Sequence, residues 1–325
     1  MILGKILPVV KEGGVLLIAV PSTTTGPLYF SYDFGATWVT KNLVNNIGSL
    51  FGVSIQKTSI IIGRSTSSNA RHEFSTNLWD NRAEINVTAS CYPQQGVVSA
   101  NGQVFMALNG SSPGYVSVSP DSGANWTKLS LLFANTWGVS MTEDGQTAYI
   151  SSLSYGYLKK STNYGVTWAN TGTIISSGAC YGVAMSANGQ YIFVGAYNKG
   201  HYFAKSSDYG VNWSESMVDT TTTGTFYNRV FCSASGQYVL MTTNANQRVY
   251  VSNNYGANWT RVLSAYSNTH QLFSTAVSNS GKYMVVGCTA ANGSFYYSDD
   301  YGANWTLKSI SGVSSTIHSV GINEI

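Results

Sequence analysis

The sequence predicts an all-β fold, a seven-bladed β-propeller of four-stranded antiparallel blades, and three observations predict it. The pattern Ser-x-Asp/Asn-x-Gly-x-x-Trp stands complete six times, at residues 31–38, 119–126, 161–168, 206–213, 252–259 and 298–305. Successive copies start 88, 42, 45, 46 and 46 residues apart; the first interval is twice 44, and Ser75-Thr76-Asn77 occupies the place of a degenerate seventh copy. Between copies run four short β-rich stretches separated by turn residues, and four antiparallel strands in a unit of about 45 residues are the signature of a propeller blade.

The fifth unit shows the elements in order, here named strands A to D. Strand A is Tyr181 to Ser186, the turn is Ala187-Asn188-Gly189-Gln190, and strand B is Tyr191 to Gly195. A variable loop leads to strand C, Tyr202 to Ser206, and the motif then turns the chain into strand D at Trp213. Asn188-Gly189 predicts a hairpin turn with positive φ at both central residues. The corresponding glycines, Gly14, Gly102, Gly145, Gly189, Gly236 and Gly281, precede the next motif Ser by 17, 17, 16, 17, 16 and 17 residues. Insertions are therefore kept out of strands B and C, and the length variation falls in the D-to-A connections. The second unit, from about Phe51 to Arg82, is the irregular one.

A single blade cannot bury both of its faces, whereas blades packed around an axis do so. The expectation is one propeller domain over residues 1–325. Ile6 to Val10 and Thr316 to Ile322 both fall at the strand A phase of the first blade, so either terminus can supply its innermost strand.

Charged residues make up 10% of the chain, the net charge is +3, and the Lys and Arg residues form no run. This excludes a nucleic-acid footprint. Lys11-Glu12-Gly13-Gly14 splits the N-terminal apolar residues into runs too short for a signal core or a membrane span, so neither is expected. Cys91, Cys180, Cys232 and Cys288 fall at different phases of the repeat and form no CxxC pair. They read as small buried hydrophobes, with no disulfide framework, metal or cofactor implied.

In the motif, a Ser hydroxyl and an Asp carboxylate two positions on can satisfy backbone groups of a tight C-to-D turn, and Gly supplies a φ that other residues resist. Asn163 and Asn254 replace Asp in two copies, keeping an acceptor and discarding the charge. The position is thus a turn cap and not a metal ligand or an acid. The Trp enters strand D and can wedge between blades, removing roughly 150 to 250 Å² from water.

On these residues the chain resembles the Asp-box, or BNR-repeat, propellers, which include sialidases, xyloglucan-degrading enzymes, sortilin-type receptors and photosystem assembly factors. The resemblance covers essentially the whole chain. It implies the propeller fold, with the boxes on the side away from the ligand face, and it implies no single activity because enzymes and non-enzymes share the box. The sialidases of the group carry an arginine in an early Arg-Ile-Pro-like strand; here that segment is Ile6-Leu7-Pro8-Val9-Val10, and the first arginine is Arg64.

Glycoside hydrolysis needs two carboxyl groups about 5 to 10 Å apart across the substrate. Asp33, Asp121, Asp208 and Asp300 belong to boxes, Asp299 lies in the same turn, and Glu12, Glu143 and Asp144 lie in A-to-B turns. What remains is Glu73, Asp80, Glu84, Glu215, Asp219 and Glu324, of which Glu73 and Asp219 are the best candidate pair. The four histidines are in different units and suggest no triad.

Aligned units instead place an aromatic residue at the start of strand A: Trp137, Tyr181, Tyr227 and Phe273, with Phe51 and Tyr92 close to the same phase. These would ring one face near the axis, among amide-rich B-to-C loops; packing between blades would produce the same recurrence. Arg229 and Arg248, with His201 in the neighbouring unit, are the best anchor for an anionic group. The expected function is non-catalytic recognition or scaffolding, with a glycan or a protein bound on the face opposite the boxes. The alternatives are a glycoside hydrolase with an unrecognised acid pair and a structural component of a larger assembly, such as a virion or a photosynthetic complex.

Overall fold

Short apolar runs bounded by turns become strands, and among the described residues of the computed structural model there are 28 of them and no helix. The described residues are 14–21, 27–42, 49–56, 58–65, 70–78, 80–86, 92–110, 112–131, 133–219, 228–243, 248–263, 272–288 and 293–324. The first described strands are β1 (Val15–Pro21), β2 (Leu28–Ser31) and β3 (Val39–Lys41). Four-strand groups follow: β4 (Ser49–Gln56), β5 (Ser59–Ser65), β6 (Ala70–Ser75) and β7 (Ala83–Asn86), then β8 (Tyr92–Val98), β9 (Phe105–Gly110), β10 (Tyr115–Ser119) and β11 (Thr127–Ser130). The next are β12 (Thr136–Met141), β13 (Ala148–Ser152), β14 (Lys159–Ser161) and β15 (Ala169–Asn170), then β16 (Ala179–Met185), β17 (Ile192–Tyr197), β18 (Tyr202–Ser206) and β19 (Ser214–Met217). The last are β20 (Asn228–Cys232), β21 (Val239–Thr243), β22 (Arg248–Ser252) and β23 (Thr260–Leu263), then β24 (Leu272–Val277), β25 (Met284–Cys288), β26 (Ser294–Ser298) and β27 (Thr306–Ser309). The final strand is β28 (Ile317–Glu324).

Five sheets have four strands, and one has eight, in which β12–β15 and β16–β19 join through the pair Ser152 and Cys180. β28 lies antiparallel beside β1, from Val15 opposite Glu324 to Pro21 opposite Ile317. The C-terminal segment therefore supplies the innermost strand of the first group; Ile6 to Val10 lie outside the described residues. The first strands touch in a closed order, β28, β4, β8, β12, β16, β20, β24 and back to β28.

The period of two along a strand divides the core between neighbours. In β1, Val15, Leu17 and Ala19 pack with Val285 and Phe295 of the last group, while Leu16, Ile18 and Val20 pack with Ile60 and Ile62 of the second. Both faces are covered, so β1 reads as a continuous apolar run.

The box turns follow the expected chemistry. In the fourth copy, Ser206 Oγ donates to Asp208 Oδ1 (2.8 Å) and accepts from Gly210 N (2.9 Å), and Asn212 N donates to Asp208 Oδ1 (2.9 Å). The degenerate copy keeps part of this, with Ser75 Oγ donating to Asn77 Oδ1 (3.0 Å) and Asn81 N to the same oxygen (2.8 Å). The Trp residues wedge between groups as expected: Trp38 meets Phe295 edge-on at 5.7 Å and Trp259 meets Phe203 at 5.1 Å.

The A-to-B turns differ from expectation at one residue. Gly189 has φ 77°, but Asn188 is not at positive φ; Gly189 N donates to Ser186 O, and the Asn188 amide oxygen accepts from Ser186 Oγ and Gln190 N. The Asn side chain caps the turn, so its own backbone needs no left-handed conformation. These turns are also stitched around the ring: Ala100 N donates to Glu143 O, Glu143 N to Ala187 O, Ala187 N to Ala234 O and Ala234 N to Asn279 O. Box and A-to-B turns share one side, since Tyr209 N donates to Gln190 O and Tyr255 N to Gln237 O.

Candidate functional site

The site is built where the first strands begin. β8, β12, β16 and β24 each carry a bulge there, between Pro93 and Gly96, Thr136 and Val139, Cys180 and Val183, and Leu272 and Ser274. A bulge bends the strand and re-aims its side chains. Glycine then lets the strands close up: a Cβ on Gly182 would lie 2.9 Å from Val230 N and 3.0 Å from Asn228 O, and one on Gly138 would lie 3.1 Å from Tyr181 O.

With the backbones this close, side chains of three successive groups overlap. The Trp137 and Tyr181 rings stack with centroids 5.0 Å apart and planes inclined by 28°, and the Arg229 guanidinium lies 5.7 Å from the Tyr181 ring centre. Burial raises the Tyr181 phenol above its ordinary value, against the pull of the Arg229 charge and of hydrogen bonds with Arg229 and Trp137. The three side chains border an axial cavity of about 40 Å³ whose other walls include Gln94, Gln95 and Thr275. Among the described residues its lining contains no Asp, Glu or His, and Arg229 is the one cation. A water needs roughly 10 to 15 Å³ of such space, so the cavity has room for a small polar group. A second axial cavity, of about 140 Å³, shares Gln95, Val183 and Phe231 and reaches Asn279 and Asn323.

The structure does not bring Arg248 and His201 to this cavity. Arg248 Nη1 donates to Asp219 Oδ2 at 2.6 Å, and the Tyr250 hydroxyl donates to the same oxygen at 2.7 Å. His201 is fully buried and meets the Tyr250 ring edge-on at 5.7 Å. Burial, then the Arg248 charge, push the His201 imidazole below its usual range, and burial lifts the Tyr250 phenol to about 12. Asp219, just past β19, crosses to the next group and neutralises Arg248, which therefore does not share an anionic subsite with Arg229. Phe273 precedes Ser274 of the cavity lining on β24, and Tyr227 lies outside the described residues. Phe51 and Tyr92 are on β4 and β8.

The carboxylates are committed elsewhere. Glu73 is buried on β6, while Asp219 is held by Arg248 and Tyr250 in another pair of groups. Asp80 pairs with Lys41 at 2.7 Å, Glu215 with Lys199, and Asp144 accepts from Thr142. Hydrogen bonds from Asn125 and Ser119 hold the box residue Asp121 at about 2. Among the described residues no group of three His, Cys, Asp or Glu side chains could hold a metal ion. Cys180 and Cys288 are buried and Cys232 is part-buried, none of the three in a disulfide; Cys91 lies outside the described residues.

The polar walls, Gln94, Gln95, Ser274, Thr275 and Ser319, are not marked by an aromatic residue in the sequence. Their signal was the shared repeat phase and not their residue type.

The BNR/Asp-box repeat family matches residues 296–307 of the chain. No curated protein matches it in sequence. Among solved structures, the GH74 xyloglucanase from Xanthomonas campestris is similar with a TM-score of 0.60 at 13% identity, over 95% of this chain and 68% of that one. YCF48 bound to a D1 peptide gives 0.58 at 14%, over 93% and 89%, and a chain of the mitotic checkpoint complex gives 0.63 at 12%, over 84% and 80%. At such identities the likeness shows the fold, a β-propeller, and no helix among the described residues is long and apolar enough to cross a membrane.

Proposed function

We propose that this chain, a β-propeller carrying the BNR/Asp-box repeat, is a seven-bladed, single-domain recognition module that performs no catalysis and holds a protein or glycan partner over the axial mouth, opposite the boxes. The observation that carries this is the Trp137–Tyr181–Arg229 stack beside a cavity that no carboxylate or imidazole of the described residues lines. Rigid aromatics bind flat apolar surfaces at low entropic cost, and the guanidinium and amides supply polar specificity. The closed order of the first strands supports the count of seven blades over residues 1–325. Tyr227 and Phe273 would extend the aromatic arc, and the Arg248–Asp219–Tyr250 cluster with His201 would stiffen the rim beside it.

A protein partner is supported by YCF48, whose structure holds a D1 peptide. The hydrolase reading has less support, because no carboxylate of the described residues lines the axial cavity. Glycan and peptide arrays probed with wild type and Trp137→Ala test the proposal. Trp137→Ala should lose the bound species at an unchanged unfolding midpoint, whereas Trp259→Ala should keep binding and lower stability by on the order of 3 kcal/mol. Turnover of a β-glucan or aryl glycoside that Glu73→Gln abolishes would overturn the non-catalytic reading.

A further inference from the structure

We propose that the axial cavity is a carboxylate site, with Arg229 as its charged anchor and Thr275 as a hydroxyl donor. The inference rests on the recognition reading only in taking the cavity mouth as the face a partner meets.

Four observations carry it. Among the described residues Arg229 has no carboxylate partner; it lies against the Tyr181 ring and shares a hydrogen bond with the Tyr181 side chain, which leaves its other guanidinium N–H groups available and its charge unneutralised, unlike that of Arg248. The Thr275 hydroxyl lines the same cavity, is 1% exposed and has no hydrogen-bond partner among the described residues. A buried hydroxyl without a partner is uncommon and calls for a ligand or an ordered water. Gln95 Oε1 accepts from Val139 N at 3.2 Å, which turns its amide nitrogen into the remaining donor. Ser274 Oγ accepts from Val320 N at 3.0 Å, donates to Val320 O at 3.5 Å and lies 3.5 Å from Ser319 Oγ, so the Ser319 hydroxyl is a further donor on that wall.

Charge and size select the ligand. Among the described residues one cation and no acid line the cavity, so a monoanion is balanced and a dianion would keep an uncompensated buried charge. A volume of about 40 Å³ admits a carboxylate with a short stem. The planar guanidinium fork matches a carboxylate in two parallel hydrogen bonds. The carboxylate belongs either to a free small acid or to the terminus of a peptide; the chemistry at Arg229 is shared.

Indole-¹⁵N-labelled protein, with the Trp137 resonance assigned by Trp137→Phe, reads the site directly. Sodium propionate at constant ionic strength should give a saturable Trp137 shift and propionamide none. Arg229→Gln should weaken propionate by about tenfold or more and Thr275→Val by a few-fold, as expected for a charge-assisted and a neutral hydrogen bond, while Arg229→Lys should recover part of the loss. Acetyl-triglycine binding more tightly than propionate, and its amide not at all, points to a peptide terminus; equal affinities of the two acids point to a free acid. Equal shifts from propionate and propionamide, or a propionate shift that survives in folded Arg229→Gln, overturn the site. If propionate fails while Trp137→Ala still releases an array partner, this inference falls alone. If propionate binds while Trp137→Ala leaves array binding intact, the recognition reading falls and the carboxylate site stands.

Discussion

His72, on β6, is fully buried, and among the described residues neither ring nitrogen has a hydrogen-bond partner. Burial alone pushes its imidazole down to about 3. The unfolded chain holds this group near 6.5, so between these values the unfolded state binds the extra proton. Stability is then fully present above pH 6.5 and is lost as pH falls toward 3, by about 3 kcal/mol at pH 4. The box carboxylates act in the same direction at lower pH: hydrogen bonds depress Asp121, Asp208 and Asp300 in the folded chain, and that contribution fades only below about pH 4. His72→Leu should therefore flatten the loss of stability between pH 7 and pH 4 and leave the steeper limb below it. Urea midpoints at both pH values check this, and parallel slopes in variant and wild type would refute it. Nothing in the sequence marked His72, because a scattered histidine has the same local signature in a loop as in a core.

The box turn was legible in its Ser, Asp, Gly and Trp, because each bonds or packs within a few residues of itself or at a fixed repeat phase. What was not legible is the residue before the Gly. Phe34, Ser122, Tyr164, Tyr209, Tyr255 and Tyr301 all stand at φ between 58° and 62°, a conformation that costs a non-glycine residue on the order of 1 kcal/mol. Packing across the interface offsets it: Tyr255 lies 4.5 Å from Tyr191, and Tyr301 stacks on Tyr238 at 4.6 Å. The interface between the fifth and sixth groups depends on a close backbone approach. A Cβ on Gly195 would lie 2.0 Å from Asn228 O, and Asn228 Nδ2 donates to Gly200 O (2.8 Å) and Tyr202 O (3.0 Å). Gly195→Ala should lower stability by on the order of 3 kcal/mol in denaturant unfolding. A change under about 0.5 kcal/mol, the scale of an innocuous surface substitution, would show that the two strands are not in contact in solution.

Closure joins the two ends of the chain. β28 covers β1 along its length, and Ser280 N of the seventh repeat donates to Glu324 Oε2 at 2.9 Å. Val15, Leu17 and Ala19 share one core with Ile317, Val320 and Ile322. Removing residues 317–325 should leave β1 with an open edge and an uncovered apolar face, and should abolish the single cooperative transition followed by circular dichroism. A truncated chain that unfolds at the full-length midpoint would show that another segment fills the place of β28.

By itself the sequence determined the period, the four strands of each unit, the chemistry of the outer turn and the phase at which the innermost strands begin. Those properties are local, written in turn residues and in the alternation of side chains along a strand. Only the tertiary structure decided that the C-terminal strand closes the first group, that Arg248 is neutralised by Asp219 while Arg229 is left to Tyr181, and that Gln95 and Thr275 share a cavity with Trp137. These outcomes depend on which side chains meet across a ring of strands far apart in the chain, and residue type at one repeat phase does not encode them.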